Sequence, residues 1–229
     1  MEPHSRAFHI VDDLLDEDAW TEVWSMFQFA DLSPVTRTGG AWKLDDGTPF
    51  GGDEIVTPAR DAELTEPGAT PGTYPSGTAL DLVLESVLAA AEEAEDLVGN
   101  QWAHVTARAY AYPRGTALSW HGDDTHAYDG AFIYYAHPYW NAHWGGELLL
   151  ADPAPEGAED MPIMAHRFDD EEYSRALLES GTGRFVMPKP NRLVLLGHAP
   201  HMVAPVRDAA GSNVRASVSG FFLSKGQDD

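Results

Sequence analysis

Residues 104–112 read His104-Val105-Thr106-Ala107-Arg108-Ala109-Tyr110-Ala111-Tyr112, and they mark the point where the chain changes from helical to strand-like patterning. Before this stretch the apolar residues recur at helical spacing, whereas the stretch itself has the composition of a strand. Further strand-like segments follow, separated by Gly and Pro. We predict them at residues 117–120, 131–135, 147–151, 184–187, 192–196, 201–206 and 214–223.

The first 100 residues predict a short strand, two helices and long loops. Residues 8–11 suit the strand, and Asp16 suits the N-cap of a first amphipathic helix. A second helix is predicted over residues 80–97, where an apolar stripe faces away from acidic residues. Residues 31–75 are rich in Gly, Pro, Thr and Asp, so we expect loops with one strand at 42–44. Loops of this length often serve as lids or substrate-binding segments.

This order of elements predicts the fold class. Helices followed by about eight short strands indicate an α+β chain built on a double-stranded β-helix, or jelly roll, with N-terminal supporting helices. We expect one domain over residues 1–229, in which residues 1–100 supply the N-terminal strand, loops and helices and residues 101–229 form the jelly-roll core. The acidic stretch 153–180 is predicted to be an insertion between strands, partly helical near 171–178.

Composition excludes several classes of function. The formal net charge is −23, from 37 acidic and 14 basic residues, which disfavours nucleic acid and membrane surfaces as partners. The chain has no cysteine, which excludes disulfides, iron–sulfur clusters, thiolate zinc sites and cysteine nucleophiles. Any metal must therefore be held by nitrogen and oxygen atoms. No signal peptide or membrane-spanning run is apparent, so we predict a cytoplasmic protein.

The motif with the clearest chemistry is Trp120-His121-Gly122-Asp123-Asp124. His121 and Asp123 are two residues apart, so at the end of a strand both side chains point to the same face. An imidazole and a carboxylate are two of the three ligands of a facial triad, which leaves coordination positions open for a cosubstrate and oxygen. With ten histidines in the chain such a triplet also arises by chance, so the third ligand and its surroundings matter.

Downstream strands offer that ligand and a cation. His198 and His201 both follow the strand at 192–196, and a jelly roll could bring His201 beside the His121 strand. Arg215, on the next strand, would lie deeper in the barrel. A buried arginine requires an anion, and the distal carboxylate of 2-oxoglutarate, held in a bidentate pair, would supply it.

These segments resemble the prolyl-4-hydroxylase-like branch of the 2-oxoglutarate/iron(II) dioxygenases. The resemblance covers about half of the chain, roughly residues 105–222, and several pieces occur in the order that the family shows. The pieces are Tyr-Pro-Arg-Gly at 112–115, the His-x-Asp triplet, Phe-Ile-Tyr-Tyr at 132–135, Gly-Gly-Glu-Leu at 145–148, Asn-Arg-Leu-Val-Leu-Leu at 191–196, His-Met-Val-Ala-Pro-Val at 201–206, and Arg215.

The resemblance implies a residue-by-residue assignment of the metal site. His121, Asp123 and His201 would bind iron(II), and the strand motif that follows His201 favours it over His198. Asp123 matches a carboxylate that a small residue replaces in halogenating relatives, so its presence favours hydroxylation. The implied cofactors and cosubstrates are iron(II), 2-oxoglutarate and oxygen, with ascorbate as an optional addition.

The resemblance also implies a cosubstrate site. Arg215 would pair with the 5-carboxylate of 2-oxoglutarate, Tyr135 would add a hydrogen bond to it, Tyr112 would line the pocket and Ser217 would assist. For the two tyrosines, packing in the core with a satisfied hydroxyl group is an equal alternative.

We therefore expect an oxygenase that hydroxylates, or otherwise oxidises, an unactivated C–H bond of a small molecule such as an amino acid or a specialised metabolite. The run at 135–144 is unusually aromatic, and an aromatic wall suits a ring-bearing or amphipathic ligand. The compact chain also shows no added peptide-binding module, which favours a small molecule. Six residues are expected near the barrel mouth, namely Arg114, His126, His137, Trp140, His143 and Trp144, and Trp42 and Lys43 are expected to close over it. For most of these residues, structural packing or a place in a solvated loop is favoured over contact with the substrate.

Three alternatives stay open at this point. The chain could be a prolyl or peptidyl hydroxylase that acts on a protein, a cupin-type metalloenzyme, or a non-catalytic jelly-roll binding domain. Arg215 disfavours the cupin, which needs no cation at that position. The sequence also leaves open desaturation, epimerisation and ring formation, and both a monomer and a homodimer.

Overall fold

The computed structural model describes residues 7–36, 43–59, 62–123, 128–151 and 171–225. Two predicted site residues, Trp42 and His126, lie outside the described residues, as does the insertion up to residue 170. None of the helices in the described ranges is long and apolar enough to cross a membrane.

Two antiparallel sheets form the core. The larger has the order β1 (Phe8–Asp12), β10 (Arg192–Leu196), β7 (Tyr128–Tyr135), β12 (Arg215–Ser224), β5 (Trp102–Tyr112), β4 (Phe50–Val56) and β2 (Ser33–Pro34). The smaller has the order β3 (Leu44–Asp46), β6 (Ala117–His121), β11 (His201–Val203), β8 (Leu148–Ala151) and β9 (Gly183–Val186). This arrangement confirms the predicted double-stranded β-helix.

Helices cover the outer face of the larger sheet. They are α1 (Glu17–Phe29), α2 (Leu80–Glu92) and α3 (Glu95–Val98), while α4 (Glu171–Ser180) is the last part of the insertion and confirms the helix predicted near 171–178. The Asp16 side chain accepts a hydrogen bond from the Ala19 amide at 2.9 Å, as expected of an N-cap. The second helix, predicted over residues 80–97, is interrupted after Glu92, and a separate short segment covers Glu95–Val98. The interruption allows Leu97 and Val98 to be buried together.

The main error of the sequence prediction concerns residues 31–75. They contain three strands rather than one, and the predicted strand at 42–44 is displaced to β3. Strand β4 reads FGGDEIV, and its glycines and acidic residues conceal the alternation that marks a strand. It pairs with β5, with an irregularity between Gly51 and Glu54. The other predicted strands are found within three residues of their expected bounds.

Alternation along two long strands separates the helix-packed core from the barrel interior. On β12, Ala216, Val218 and Phe222 pack in the cluster that the helices cover. Arg215, Ser217, Ser219 and Phe221 therefore face the interior between the sheets. On β5 the same period sends Arg108, Tyr110 and Tyr112 inward.

Candidate active site

The two histidines of the predicted triad meet where two strands of the smaller sheet pair. His121 is the last residue of β6, His201 is the first residue of β11, and the two are register partners. Their ring centroids are 4.3 Å apart. Asp123 follows two residues later, and one ligand atom from each of the three residues lies within 4.8 Å of the others. All three side chains are buried.

Hydrogen bonds to backbone carbonyls fix both histidine rings. Nδ1 of His121 donates to the Ser119 carbonyl at 2.6 Å, and Nδ1 of His201 donates to the Ala199 carbonyl at 3.0 Å. Each Nε2 is therefore left with a lone pair when the ring is neutral. Burial lowers the pKa of His121 and of His201, which keeps both rings neutral. Backbone acceptors of this kind orient metal-ligating histidines.

Asp123 supplies the negative charge of the cluster. Burial opposes its ionisation, but the charge and the hydrogen bond of the Lys43 ammonium group lower the pKa of this carboxyl group well below its usual value. Its Oδ1 accepts a hydrogen bond from Lys43, while Oδ2 lies 3.4 Å from Nε2 of His201. The carboxylate therefore presents one oxygen to the space between the histidines.

This donor set fits iron(II). Two neutral imidazole nitrogens and one carboxylate oxygen, on one side of a buried space, are the ligands of the facial triads that hold non-haem iron. His121, Asp123 and His201 would hold the ion. His198 is exposed and lies outside this group of potential ligands.

Arg215 lies deep in the barrel and is only 2% exposed. Its Nε donates to the Gly146 carbonyl at 3.0 Å, and its terminal nitrogens approach the Ser217 hydroxyl at 3.5 Å and the Tyr135 hydroxyl at 3.4 Å. All of these partners are neutral, and no carboxylate within the described part of the chain forms an ion pair with it. A buried guanidinium group without an anion is costly, so this position fits the distal carboxylate of 2-oxoglutarate.

Two aromatic rings enclose that guanidinium group. Its Cζ lies 4.8 Å from the ring centroid of Tyr135 and 5.4 Å from that of Tyr112. Burial raises the pKa of Tyr112, so its phenol stays protonated and can donate a hydrogen bond. The structure thus brings together all four residues predicted for the cosubstrate site, including Ser217.

A cavity of about 120 Å³ opens beside the triad. Its walls are mainly apolar and aromatic, and its lining includes Tyr112, Leu118, Ile133, Leu196 and Phe221. The lining also includes Arg108, Tyr110 and Ser219, which the sequence prediction did not name. For Arg108 and Tyr110 the sequence did contain evidence, because their spacing of two residues places them on the same inward face of β5 as Tyr112.

Three residues of the aromatic run have the packing role that the sequence analysis favoured for most of them. His137, Trp140 and Trp144 do not line the cavity beside the triad. His137 is buried and its ring lies 4.9 Å from that of Trp140 at a tilt of 43°, and the Trp140 indole donates to the Gly145 carbonyl at 2.9 Å. The run therefore packs behind the Arg215 end of the barrel.

Two other predicted mouth residues are in the described part of the chain. Arg114 is exposed and does not line the cavity. Lys43 does reach the site, since it contacts Asp123 and lies 5.0 Å from the ring centroid of Phe221.

Solved structures of known proteins have the same fold. A prolyl-4-hydroxylase from Pseudomonas putida is 16% identical, with a TM-score of 0.58 over 97% of this chain and 95% of that one. HygX from Streptomyces hygroscopicus, solved with nickel and 2-oxoglutarate bound, is 13% identical, with a TM-score of 0.54 over 97% and 84%. A prolyl hydroxylase from Trichoplax adhaerens, in complex with a hypoxia inducible factor peptide fragment, is 15% identical, with a TM-score of 0.54 over 95% and 84%.

No curated protein is similar to the sequence at a significant level. The model of the 2OG-Fe(II) oxygenase superfamily, however, matches residues 107–223, which is more than half of the chain. The chain therefore belongs to the 2OG-Fe(II) oxygenase superfamily, as predicted, and is a 2-oxoglutarate-dependent dioxygenase that uses iron(II).

Proposed function

We propose that this oxygenase hydroxylates an unactivated C–H bond of a small molecule, with His121, Asp123 and His201 as its iron ligands. The observation that carries the proposal is the cavity that opens directly beside these three residues. Its apolar walls suit a carbon skeleton, and a single arginine among them suits one polar group. The presence of Asp123 favours hydroxylation over halogenation.

The protein residues have separate tasks in this reaction. The two histidines and Asp123 fix the position of the metal, and their backbone hydrogen bonds fix the rings. Arg215, with Tyr135 and Ser217, orients 2-oxoglutarate through its distal carboxylate. The apolar walls exclude water and place one C–H bond of the substrate near the metal. Bound iron(II) supplies oxygen activation coupled to decarboxylation of 2-oxoglutarate.

Solved structures with the same fold include both prolyl hydroxylases and HygX, so they do not decide the substrate class. The lining of the cavity favours a small molecule. Arg108 introduces a full positive charge close to the reaction centre. A small metabolite can carry an anionic group a few bonds from the carbon that reacts, whereas a peptide offers an anion only at an acidic side chain or at its C-terminus.

The experiment is a screen for substrate-stimulated succinate release. The iron(II)-loaded enzyme, with 2-oxoglutarate and oxygen, is tested against a library of amino acids and metabolites and against proline-containing peptides. We expect stimulation by a small molecule and a product that is heavier by one oxygen atom in mass spectrometry. Stimulation by the peptides alone, with a hydroxylated peptide as the main product, would contradict the proposal.

A further inference from the structure

Arg108 is a second cation in the barrel that the cosubstrate does not explain. It lies on β5, is half-buried and lines the cavity beside the triad. Its Nε donates to the Gly52 carbonyl at 2.6 Å, and its Cζ lies 5.3 Å from the ring centroid of Tyr110. Within the ranges that the structure describes, no carboxylate forms an ion pair with it.

Arg108 and Arg215 are distinct sites. Arg215 is the register partner of Tyr112, whereas Arg108 is the register partner of Ser219. Four residues along β5 therefore separate the two levels, or roughly 14 Å at the rise of a strand. The cavity that contains His121 and His201 extends to Arg108 but not to Arg215. One end of the barrel thus suits the cosubstrate, and the other end suits a different ligand.

The surroundings of Arg108 favour an anion. A side chain at Gly51 would place its Cβ only 3.0 Å from Nε and from one terminal nitrogen of Arg108, so the glycine leaves room for the guanidinium group. Burial raises the pKa of Tyr110, whose protonated phenol lies beside the cavity as a further donor. The hydroxyl group of Ser219 is a further polar group in the lining of the cavity.

One acidic residue also lies near Arg108. Glu54 is its register partner on β4 and lines the same cavity, but its side chain is exposed to solvent and forms no ion pair with the arginine. Water therefore screens its charge. Arg108 is more buried than Glu54 and shares the cavity with the apolar side chains of Ile133 and Phe221, so it is the stronger electrostatic feature.

We propose that Arg108 binds a carboxylate group of the substrate, and hence that the substrates are small carboxylic acids. The inference rests on the proposed function and narrows its substrate class. A guanidinium group pairs with a carboxylate through two parallel hydrogen bonds, which fixes orientation as well as position. The carboxylate would hold the substrate at the β5 wall, so that a C–H bond elsewhere on its carbon skeleton faces the triad.

The test uses three probes of similar shape and different charge, which are benzoate, benzamide and benzylammonium. Each is titrated into the anaerobic complex of the enzyme with iron(II) and 2-oxoglutarate, and binding is followed by calorimetry and by the visible absorption of the iron chelate. We expect benzoate to bind at least about tenfold more tightly than benzamide, and benzylammonium to bind more weakly still.

Variants then locate the charge preference. Arg108→Gln should lower the affinity for benzoate at least about tenfold and leave that for benzamide within about twofold. Arg108→Lys, which keeps the charge but not the planar fork, should give an intermediate value. Arg175→Gln, an exposed substitution on α4, is the matched control and should change nothing. Thermal unfolding of each variant checks that it is folded. If Arg108→Gln does not fold, the comparison of the three probes on the unmodified enzyme still tests the charge preference.

Several results would overturn the inference. They are no binding of benzoate, equal binding of benzoate and benzamide, a preference for benzylammonium, and benzoate binding that Arg108→Gln does not weaken. Displacement of 2-oxoglutarate by benzoate would place the anion at Arg215 and would also overturn it. Failure of the proposed function is separate, because it would appear in the succinate-release screen as stimulation by peptides alone, whatever the order in which the three probes bind.

Discussion

His201 and His198 are three residues apart but differ in burial and in their position relative to His121 and Asp123. His201 is buried against His121, whereas His198 is exposed. We expect His201→Ala to lower iron affinity at least about 100-fold, since loss of even an outer partner of a ligand costs about 10–100-fold. His198→Ala is the control and should bind iron normally. The iron content of each variant after anaerobic dialysis measures its iron affinity. A larger loss of iron in His198→Ala than in His201→Ala would mean that His198 is the ligand.

Arg215 should control the affinity for 2-oxoglutarate. Its guanidinium group is buried among neutral partners, so a carboxylate would gain strong hydrogen bonds there. Arg215→Gln is expected to raise the KM for 2-oxoglutarate about 10- to 100-fold, which corresponds to loss of hydrogen bonds to a charged group. Arg215→Lys should show a smaller increase in this KM than Arg215→Gln. The control Arg175→Gln should leave the KM unchanged. An unchanged KM in Arg215→Gln would mean that 2-oxoglutarate binds elsewhere.

His137 gives the fold a pH dependence. Burial lowers its pKa to about 4 from the ordinary value of 6.5; the nearby charge of Arg215 adds to this effect, and hydrogen bonds to the Pro188 and Ala216 carbonyls oppose it. The unfolded chain therefore binds more protons between these two pKa values, and stability falls as the pH decreases through that interval. Between about pH 7.5 and about pH 5 we expect His137 to account for a loss of about 2 kcal/mol.

Urea unfolding of the metal-free protein at both pH values measures this loss. His137→Gln should show a correspondingly smaller pH dependence, because it removes the titrating group. His143→Gln, which changes an exposed histidine, should behave like the unmodified protein. Identical pH dependence in all three proteins would show that His137 does not titrate as described.

Among the elements, the connection between β1 and α1 is held against the barrel by the Asn191 side chain. Asn191, which begins the turn into β10 at a φ of +56°, accepts hydrogen bonds from the Leu15 amide at 3.1 Å and the Tyr134 hydroxyl at 3.0 Å. Its Nδ2 donates to the Leu15 carbonyl at 2.8 Å. All of these groups are buried, so removing the amide leaves them without partners.

We therefore expect Asn191→Ala to lower the free energy of unfolding by about 3 kcal/mol. Asn100→Ala, at an exposed asparagine, should change it by less than about 0.5 kcal/mol. Urea unfolding at neutral pH measures both. A small effect at residue 191 would mean that water replaces the amide and that the segment is not held by this side chain.

Sequence alone predicted the elements whose patterns are regular. β5 and β12 alternate clearly, and their inward faces could be assigned once Tyr112 and Arg215 were recognised as site residues. The failures have local causes. β4 has two glycines and two acidic residues, so nothing in its pattern distinguished it from a loop. Arg108 was overlooked because it belongs to no motif, although its spacing from Tyr112 indicated the same face.

At the scale of the whole molecule, the candidate site spans both sheets. The triad belongs to the smaller sheet, whereas Arg215 and Tyr135 belong to the larger. A cosubstrate that chelates the metal and pairs with Arg215 would connect the two sheets. Its binding should therefore stabilise the entire fold by mass action.

We expect 2-oxoglutarate, at about 100 times its dissociation constant, to raise the free energy of unfolding of the iron(II)-loaded protein by about 2.7 kcal/mol. Anaerobic thermal unfolding of the iron(II)-loaded protein with and without 2-oxoglutarate measures this. In Arg215→Gln the increment due to 2-oxoglutarate should disappear at the same concentration. Equal stabilisation of the variant would show that the cosubstrate does not connect the sheets.

The most direct test of the central claim is the visible absorption of the iron chelate. Iron(II) and 2-oxoglutarate are added to the protein under anaerobic conditions. We expect a charge-transfer band that appears only when both iron(II) and 2-oxoglutarate are present and that is absent in His201→Ala. A folded protein that shows no such band, or a His201→Ala variant that retains it, would contradict the assignment of His121, Asp123 and His201 as the iron site of this oxygenase.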